Sequence, residues 1–462
     1  MKKDYPDWVL RQKTKNTEIR EIKGHYYLYR IANVWDKERK RHRKITVEYL
    51  GAITPEGLVK RSATASVSPV EFGASRYTLD VCSDIANIIK DSFDDWRTIL
   101  VMALFRLMYS SPLKNMEFYY DTSYISQGFS VDLNPRRIGE FLRRLGMNRP
   151  GIQGFLRKFV NGSEGQIVDL THVFSLSENV ISSTIGYNGD HEYLPQIRLV
   201  LLFDAKKHEP SYYRFVVGSI KDVSTIRHTI EESGMANAFL IGDKGFYSEE
   251  NLRELESSNI RYILPLRRNS ALIDYSAIKG GDRSKFTDHF LFEGRVIWHY
   301  REGNSVILYL DDSLKTEEER DFLSGERPDL NAFFERQYQQ GTIAVVTNLP
   351  YSEEKIYGLL KNRVDVEQAF DAFKNVLNAD RSYMRDNYQL EGWFLINFVA
   401  LLLYYRIYNT LLEKGMLNNY SPRDVLLHLS RVFKMEINGK WVTSEIPRKS
   451  RLLMEKLGIN YM

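Results

Sequence analysis

From residue 165 onward the chain sets out apolar patterns in a fixed order, and that order limits the fold more than any other feature. "GQIVDLTHVF", "PQIRLVLLFD" and "SYYRFVVGS" each read as a strand, the last two joined by the turn "AKKHEP". "KDVSTIRHTIEESG" then reads as a helix and "NAFLIGD" as a buried strand. "SEENLRELESSN" reads as a helix capped by Ser248, and "IRYILPL" as another strand. Strands joined by tight turns pair antiparallel, whereas a helix between strands lets them run parallel. Three strands, helix, strand, helix, strand therefore predicts an α/β fold, a mixed sheet with helices packed on it.

The alternation stops between 270 and 340. "DHFLFEGRVIWHYREG" and "NSVILYLDDS" predict a β-rich insertion, after which "GTIAVVTN" returns to the sheet. The core thus spans 161–269 and 341–415, with 416–462 a helical region and candidate dimerisation element. With 462 residues, 43% of them hydrophobic, there is material for further domains. Residues 1–70 read as a basic β module, a hairpin of "HYYLYRIANVWD" and "KITVEYLGAI" around "KERKRHRK". Arg39, Lys40, Arg41, Arg43 and Lys44 in that cationic loop are candidate contacts to a phosphate backbone. Residues 71–160 read as helical and as a second DNA-binding region. There "LNPRRIGEFLRRLG" has Asn134 as cap, Pro135 at the first helical position and Gly146 at the stop. Its Arg136, Arg137, Arg143 and Arg144 fit a recognition helix and an ordinary basic surface equally well.

Composition removes several alternatives. Cys82 is the single cysteine, so a disulfide within the chain and a cysteine metal cluster are both excluded, and a reducing compartment is expected. The first twenty residues lack the apolar core of a signal peptide. "WFLINFVALLLYYRIY" (393–408) carries Asn397 and Arg406 and is short for a membrane span, which predicts a buried helix instead. The net charge of +4 is compatible with a nucleic-acid partner.

Three carboxylates stand out by position. Asp169 lies inside the strand "QIVDLTHV", where an ionised group is costly unless paired or metal-bound. Asp243 closes the apolar run "AFLIG" at the carboxyl end of a strand, where ligands bind. Ordinary roles also fit: an ion pair for Asp169 and a helix cap for Asp243. Asp204 ends its strand at a polar turn and reads as a turn residue. The third carboxylate is Glu367 in "NRVDVEQAFDAFKNVLNADR" (362–381), read as one helix. At about 100° per residue, Arg363, Glu367 and Lys374 fall within an arc of roughly 40°. An oxygen-only set suits Mg²⁺ or Mn²⁺, and two such ions serve phosphodiester displacement.

These residues resemble the DDE transposases of prokaryotic insertion sequences, in the family-four group. Arg363, Glu367 and Lys374 match the spacing of that family's Y-x2-R-x3-E-x6-K signature, while "DLT" at 169–171 and "DKGFYSEENL" match its two aspartate contexts. The likeness covers about 160 to 415. It implies a ribonuclease-H-like sheet with helices on both faces, and Asp169, Asp243 and Glu367 holding two divalent ions per active site. Arg363 and Lys374 would contact phosphates beside the scissile bond, with Lys244 a weaker candidate. Trp298 in the insertion would stack on a base, unless it is a buried strand residue. The implied partners are double-stranded DNA (the terminal inverted repeats and the target) and a second copy of the chain. The implied reaction is cut-and-paste transposition by cleavage and strand transfer, in the cytoplasm at the nucleoid. Two positions depart from the pattern. Leu360 stands where the signature has Tyr, with Tyr357 one turn earlier as a partial substitute, and Gly218-Ser219 replaces a glycine-asparagine pair. A metal-dependent nuclease without a joining step, and a DNA-binding protein with decayed catalysis, fit the same residues.

Overall fold

The computed structural model describes residues 5–36, 41–59, 68–160, 166–175, 177, 180, 183–185, 194–217, 223–235, 238–242, 244–303, 305–325, 329–437 and 439–461. The chain divides into two compact units, residues 1–68 with 435–442, and residues 69–434 with 443–462.

The first unit is a four-stranded antiparallel sheet in sequential order: β1 (Thr17–Ile22), β2 (His25–Asp36), β3 (Arg41–Thr54) and β4 (Gly57–Val59). A short helix, α1 (Asp7–Leu10), closes its small core, where Val9, Ile19, Leu28 and Ile53 are buried together. Beyond that core β2 and β3 run on as a two-stranded ribbon with exposed side chains.

The second unit is built on an eleven-stranded sheet. Its strands are β5 (Gln166–Ser175), β6 (Thr184–Ile185), β7 (Pro195–Asp204), β8 (Glu209–Val217), β9 (Ala238–Ile241) and β10 (Arg261–Pro265). They continue as β11 (Asp288–Phe292), β12 (Arg295–Glu302), β13 (Val306–Asp311), β14 (Thr342–Thr347) and β15 (Arg381–Ser382). The order is β11-β12-β13-β14-β10-β9-β5-β7, with β6 and β8 on the far edge of β7 and β15 beside β5. β5, β7 and β8 pair antiparallel, and β9 and β10 run parallel to β5. The crossovers are α4 (Val223–Ser233) and α5 (Glu249–Ser257). This is the ribonuclease-H-like arrangement, a mixed sheet flanked by helices. The β-rich insertion does not stand apart, because β14 pairs with both β10 and β13 and so carries the insertion strands on as the same sheet.

Three further helices support the sheet on the side of β8. α2 (Trp96–Tyr109) and α3 (Pro135–Met147) pack on α8 (Asn387–Glu413), the long apolar helix, which in turn packs on β8. The two polar residues of that apolar run are both partnered. Asn397 accepts from Arg106 at 3.0 Å, and Arg406 pairs with Asp84 at 2.7 Å and with buried Glu209. Gly146 is not a helix stop, since α3 runs to Met147. A Cβ there would collide with the Tyr388 carbonyl, and one at Gly392 with the Leu142 carbonyl. The two glycines let α3 and α8 approach backbone to backbone. Arg137, Arg143 and Arg144 on α3 are each held by an acid, Asp132, Asp386 and Asp95.

Candidate active site

Asp169 sits near the middle of β5, and its position follows from strand periodicity. It is registered opposite Leu201 of β7, so both side chains leave the sheet on one face, with Leu199 opposite Thr171 two residues along. That face receives the helix carrying Glu367. The helix comes in two pieces, α6 (Glu353–Lys361) and α7 (Arg363–Asp371), joined at Asn362 by a tightened turn in which Asp365 N donates to Asn362 O at 3.0 Å. Val366, Ala369 and Phe370 of α7 are buried, and Phe370 and Phe373 lie among Leu199, Leu201, Tyr213, Phe394 and Phe398. Each such aromatic stabilises the docking by about 1.5–3 kcal/mol.

With that stripe on the sheet, the neighbouring stripe of α7 lies at the rim. Arg363 extends from it between two acids, with one guanidinium nitrogen 2.8 Å from Glu367 and another 3.7 Å from Asp169. The first and third expected carboxylates therefore share one cation. Asp169 is nearly enclosed, with 14% of its side chain exposed, and its Oδ1 accepts from the Leu170 amide at 2.8 Å, whereas Glu367 is half exposed. The Arg363 Nε is buried and makes no hydrogen bond among the described residues. Asp365, on the same helix, faces elsewhere. It meets His208 at 3.2 Å, and burial holds its carboxyl above the usual value against the pull of that histidine. Asp204 is a turn residue, its Oδ1 accepting from the Lys206 and Lys207 amides at 3.0 Å.

The second aspartate, Asp243, lies outside the described residues. Its approach is visible: β9 pairs parallel with β5 as far as Leu240 opposite Val168, one residue short of Asp169. Among the described residues no cluster of three metal-binding side chains forms. Asp169 and Glu367 supply oxygen donors only, a set that suits a hard cation, and the Arg363 guanidinium between them balances their charge. Lys244 is exposed just beyond β9.

The 362–381 stretch is not a single α-helix. After Asp371 the backbone widens into a π-turn, Ala372–Val376, closed by Leu377 N to Ala372 O at 2.9 Å, and Asn378 then takes a φ of 53°. Arg363 and Glu367 keep their i,i+4 relation because they lie in true α-helix. Lys374 lies in the π-turn, where each residue turns through a smaller angle, so the arc expected from 100° per residue does not extend to it.

The end of this segment is held by a residue to which no sequence pattern assigned a role. Arg106 of α2 is 3% exposed, and its guanidinium donates to Asn397 Oδ1 at 3.0 Å, Ser111 O at 2.6 Å, Asn378 O at 3.3 Å and Leu377 O. Ser110 Oγ donates to Val376 O. Carbonyls that a helix end leaves without partners are thus gathered by one fork of donors. Burial alone brings this guanidinium down to about 10. The signal was a single arginine inside the apolar run "ILVMALFRLMY".

Other expected residues fall elsewhere. Tyr357 is not a substitute for a signature tyrosine at Leu360. It is 1% exposed and packed against Phe290, Phe292 and Tyr309, with its hydroxyl pushed up to about 12 by burial. Leu360 is half-buried against the main core. Trp298 lies on β12, five strands from β5, about 24 Å at about 4.8 Å per strand. Its ring is half-buried and packed by Phe286, His289 and Arg283. In the first unit Arg39 and Lys40 lie outside the described residues. Arg41 and Arg43 are exposed, but they belong to β3 rather than to a loop, paired with Asp36 and Val34. Strand alternation puts them on one face and Lys44 on the other, where Lys44 meets Glu18 at 3.4 Å.

A family model described as the transposase DDE domain matches residues 163–403. No curated protein matches the chain. Among solved structures it is similar to a piggyBac transposase synaptic complex with hairpin DNA, at 10% identity over 72% of this chain and 69% of that one, with a TM-score of 0.40. It is also similar to a Mos1 transposase paired-end complex with left transposon end, at 10% identity over 64% of this chain and 80% of that one, with a TM-score of 0.15.

Proposed function

The chain belongs to the transposase DDE-domain family, and on that premise we propose that it excises an insertion sequence by cutting at the element's ends and joins the freed 3′ ends to target DNA. The observation that carries this reading is the single Arg363 guanidinium shared by Asp169 and Glu367. It brings a strand carboxylate and a helix carboxylate, 198 positions apart in the chain, to one point on a face of the sheet.

Asp169 and Glu367, with Asp243, would hold two divalent ions, Mg²⁺ or Mn²⁺. When bound, these ions supply charge neutralisation and Lewis acidity for phosphodiester displacement. The protein's own groups do the rest. Asp169 Oδ1 accepts from the Leu170 amide and Oδ2 faces Arg363, so the carboxylate has a set orientation. Arg363, one-quarter exposed beside both carboxylates, would offer its guanidinium to a phosphate oxygen beside the bond that reacts. Lys374 contributes a second cation further along, and Lys244 a third. Joining two ends calls for two active sites, hence a homodimer on DNA, acting on nucleoid DNA in the cytoplasm.

The test is a plasmid carrying the chain's own element ends, incubated with the full-length protein and Mg²⁺. Excised element and insertion products are expected. Cleavage without any joined product would reduce the reading to a nuclease, and absence of both cleavage and end binding would overturn it. The β2–β3 ribbon makes a separate prediction. Arg41→Ala with Arg43→Ala should flatten the slope of log affinity against log salt by about 1.8, at about 0.9 for each phosphate no longer neutralised. An unchanged slope would mark both arginines as solvated surface.

A further inference from the structure

Beside the proposed active site β5 has an unusual edge. One side pairs with β7 along nearly its whole length, from Gln166 to Phe174. The other side is shared: β9 covers Gln166 to Val168, and β15 covers Phe174 and Ser175. Among the described residues no strand covers 169–173 between them. Asp169 thus sits where β9 ends, and from it the strand runs on, with Thr171 to Phe174 buried, to β15. There the Phe174 amide donates to Asp380 O at 2.8 Å, and Arg381 lies over the Phe174 ring at 5.7 Å.

At that far end is a cleft of about 800 Å³ walled by Arg106, Lys114, Asp380, Arg381, Tyr383 and Trp393, among others. Three of the six are cations and one is an acid, Asp380, which pairs with Arg381 at 3.4 Å and leaves the set net positive. The hydrogen bonds of Arg106 go to carbonyls and an amide, so no carboxylate in that set cancels its charge. Tyr383 is 67% exposed on the rim, and Trp393, 4% exposed, lies in the wall. A positive cleft with an exposed aromatic ring is built for a polyanion with flat faces. The five residues from Asp169 to Phe174 span about 17 Å, which is about five base-pair steps along one DNA strand.

We propose that this cleft is a second DNA-contact site, holding the sugar-phosphate backbone about five base-pair steps from the bond that reacts. Lys114 and Arg381 take the phosphates, and Tyr383 packs on the neighbouring sugar or base. The proposal rests on the reading of Asp169 and Glu367 as the reacting centre.

The test uses the chain's single cysteine, Cys82, which is 1% exposed and silent to bulky thiol reagents. Tyr383→Cys then provides a unique accessible thiol in the full-length protein, with Phe334→Cys, at a residue 66% exposed on the insertion, as control. The probe is a random-sequence duplex of roughly 40 base pairs with disulfide tethers on its phosphates. Cross-linking at least about fivefold higher for Tyr383→Cys than for Phe334→Cys is expected. Lys114→Ala with Arg381→Ala should lower that yield and flatten the salt slope of duplex binding by about 1.8. Equal yields at the two thiols, or tight duplex binding with no cross-link at the Tyr383→Cys thiol, would overturn the cleft alone. Failure of the unmodified chain to bind any duplex would overturn the DNA-processing reading together with it.

Discussion

Asp169→Asn and Glu367→Gln are each expected to lower metal-dependent cleavage of the element's ends by more than about a hundredfold. Loss of a partner behind a metal ligand already costs about 10- to 100-fold, and these two carboxylates are placed as ligands themselves. Both replacements keep the side chain's shape and remove its charge. Glu367 is half exposed, so its change should leave stability within about 0.5 kcal/mol. Asp169 is more enclosed, but its separation from Arg363 is 3.7 Å, a weak pair to lose. The internal control is Asp365→Asn. Asp365 precedes Glu367 by two residues and is paired with His208 instead of Arg363. Cleavage within severalfold of the parent is expected there. The check is the initial cleavage rate on labelled ends in Mg²⁺, alongside thermal unfolding of each variant. Undiminished cleavage by the folded Glu367→Gln protein would refute the assignment, as would an equal loss for Asp365→Asn.

The second large effect is on stability. Arg106→Met should destabilise the second unit by about 3–5 kcal/mol. Removing the guanidinium leaves Ser111 O, Leu377 O, Asn378 O and Asn397 Oδ1 without their donor. Each buried acceptor so stranded costs about 1–3 kcal/mol, and the four do not add fully because they share one cavity. Arg106→Lys should recover little, since a single ammonium cannot span acceptors that a planar fork reaches on several sides. Urea midpoints measure the global effect, and hydrogen exchange at the Leu377 and Ala379 amides measures the local one. An unchanged midpoint together with unchanged exchange would show that the clamp holds nothing.

The sheet was legible in the sequence because its signal is local. Apolar runs and their order suffice for strands β5 and β7 to β10, and connection length gives the β7–β8 hairpin and the helix crossovers, whereas the long connection between β5 and β7 leaves their direction open. The Arg363–Glu367 relation was legible for the same reason, an i,i+4 spacing inside an α-helix. Lys374 was harder to place, because an i→i+5 turn leaves no mark on a period of 3.6 and is held by Arg106 of α2 and by Ser110 just after it. Gly146 looked like a stop because glycine ends many helices. Its role depends on the close approach of α8, more than 240 residues away in the chain. The basic run at 37–44 read as one loop, yet β3 begins at Arg41 and alternation sends its cations to two faces. Arg106 was the hardest, since its acceptors lie on segments near 110, 377 and 397 that periodicity cannot bring together.

The widened turn at Ala372–Val376 also acts as a length gauge. It contains one residue more than an α-helical turn needs to close. Deleting a residue there would let α7 continue as regular helix, at no cost in local hydrogen bonding. It would also draw Leu377 and Asn378 back by one position, away from the Arg106 fork, and rotate Lys374 about the helix axis relative to Glu367. Of the two spacings in this segment, four residues from Arg363 to Glu367 and seven from Glu367 to Lys374, the first is set by the helix itself. The second is set by the distance between the sheet face and a buried arginine, so this interval should tolerate substitution far better than any change in length.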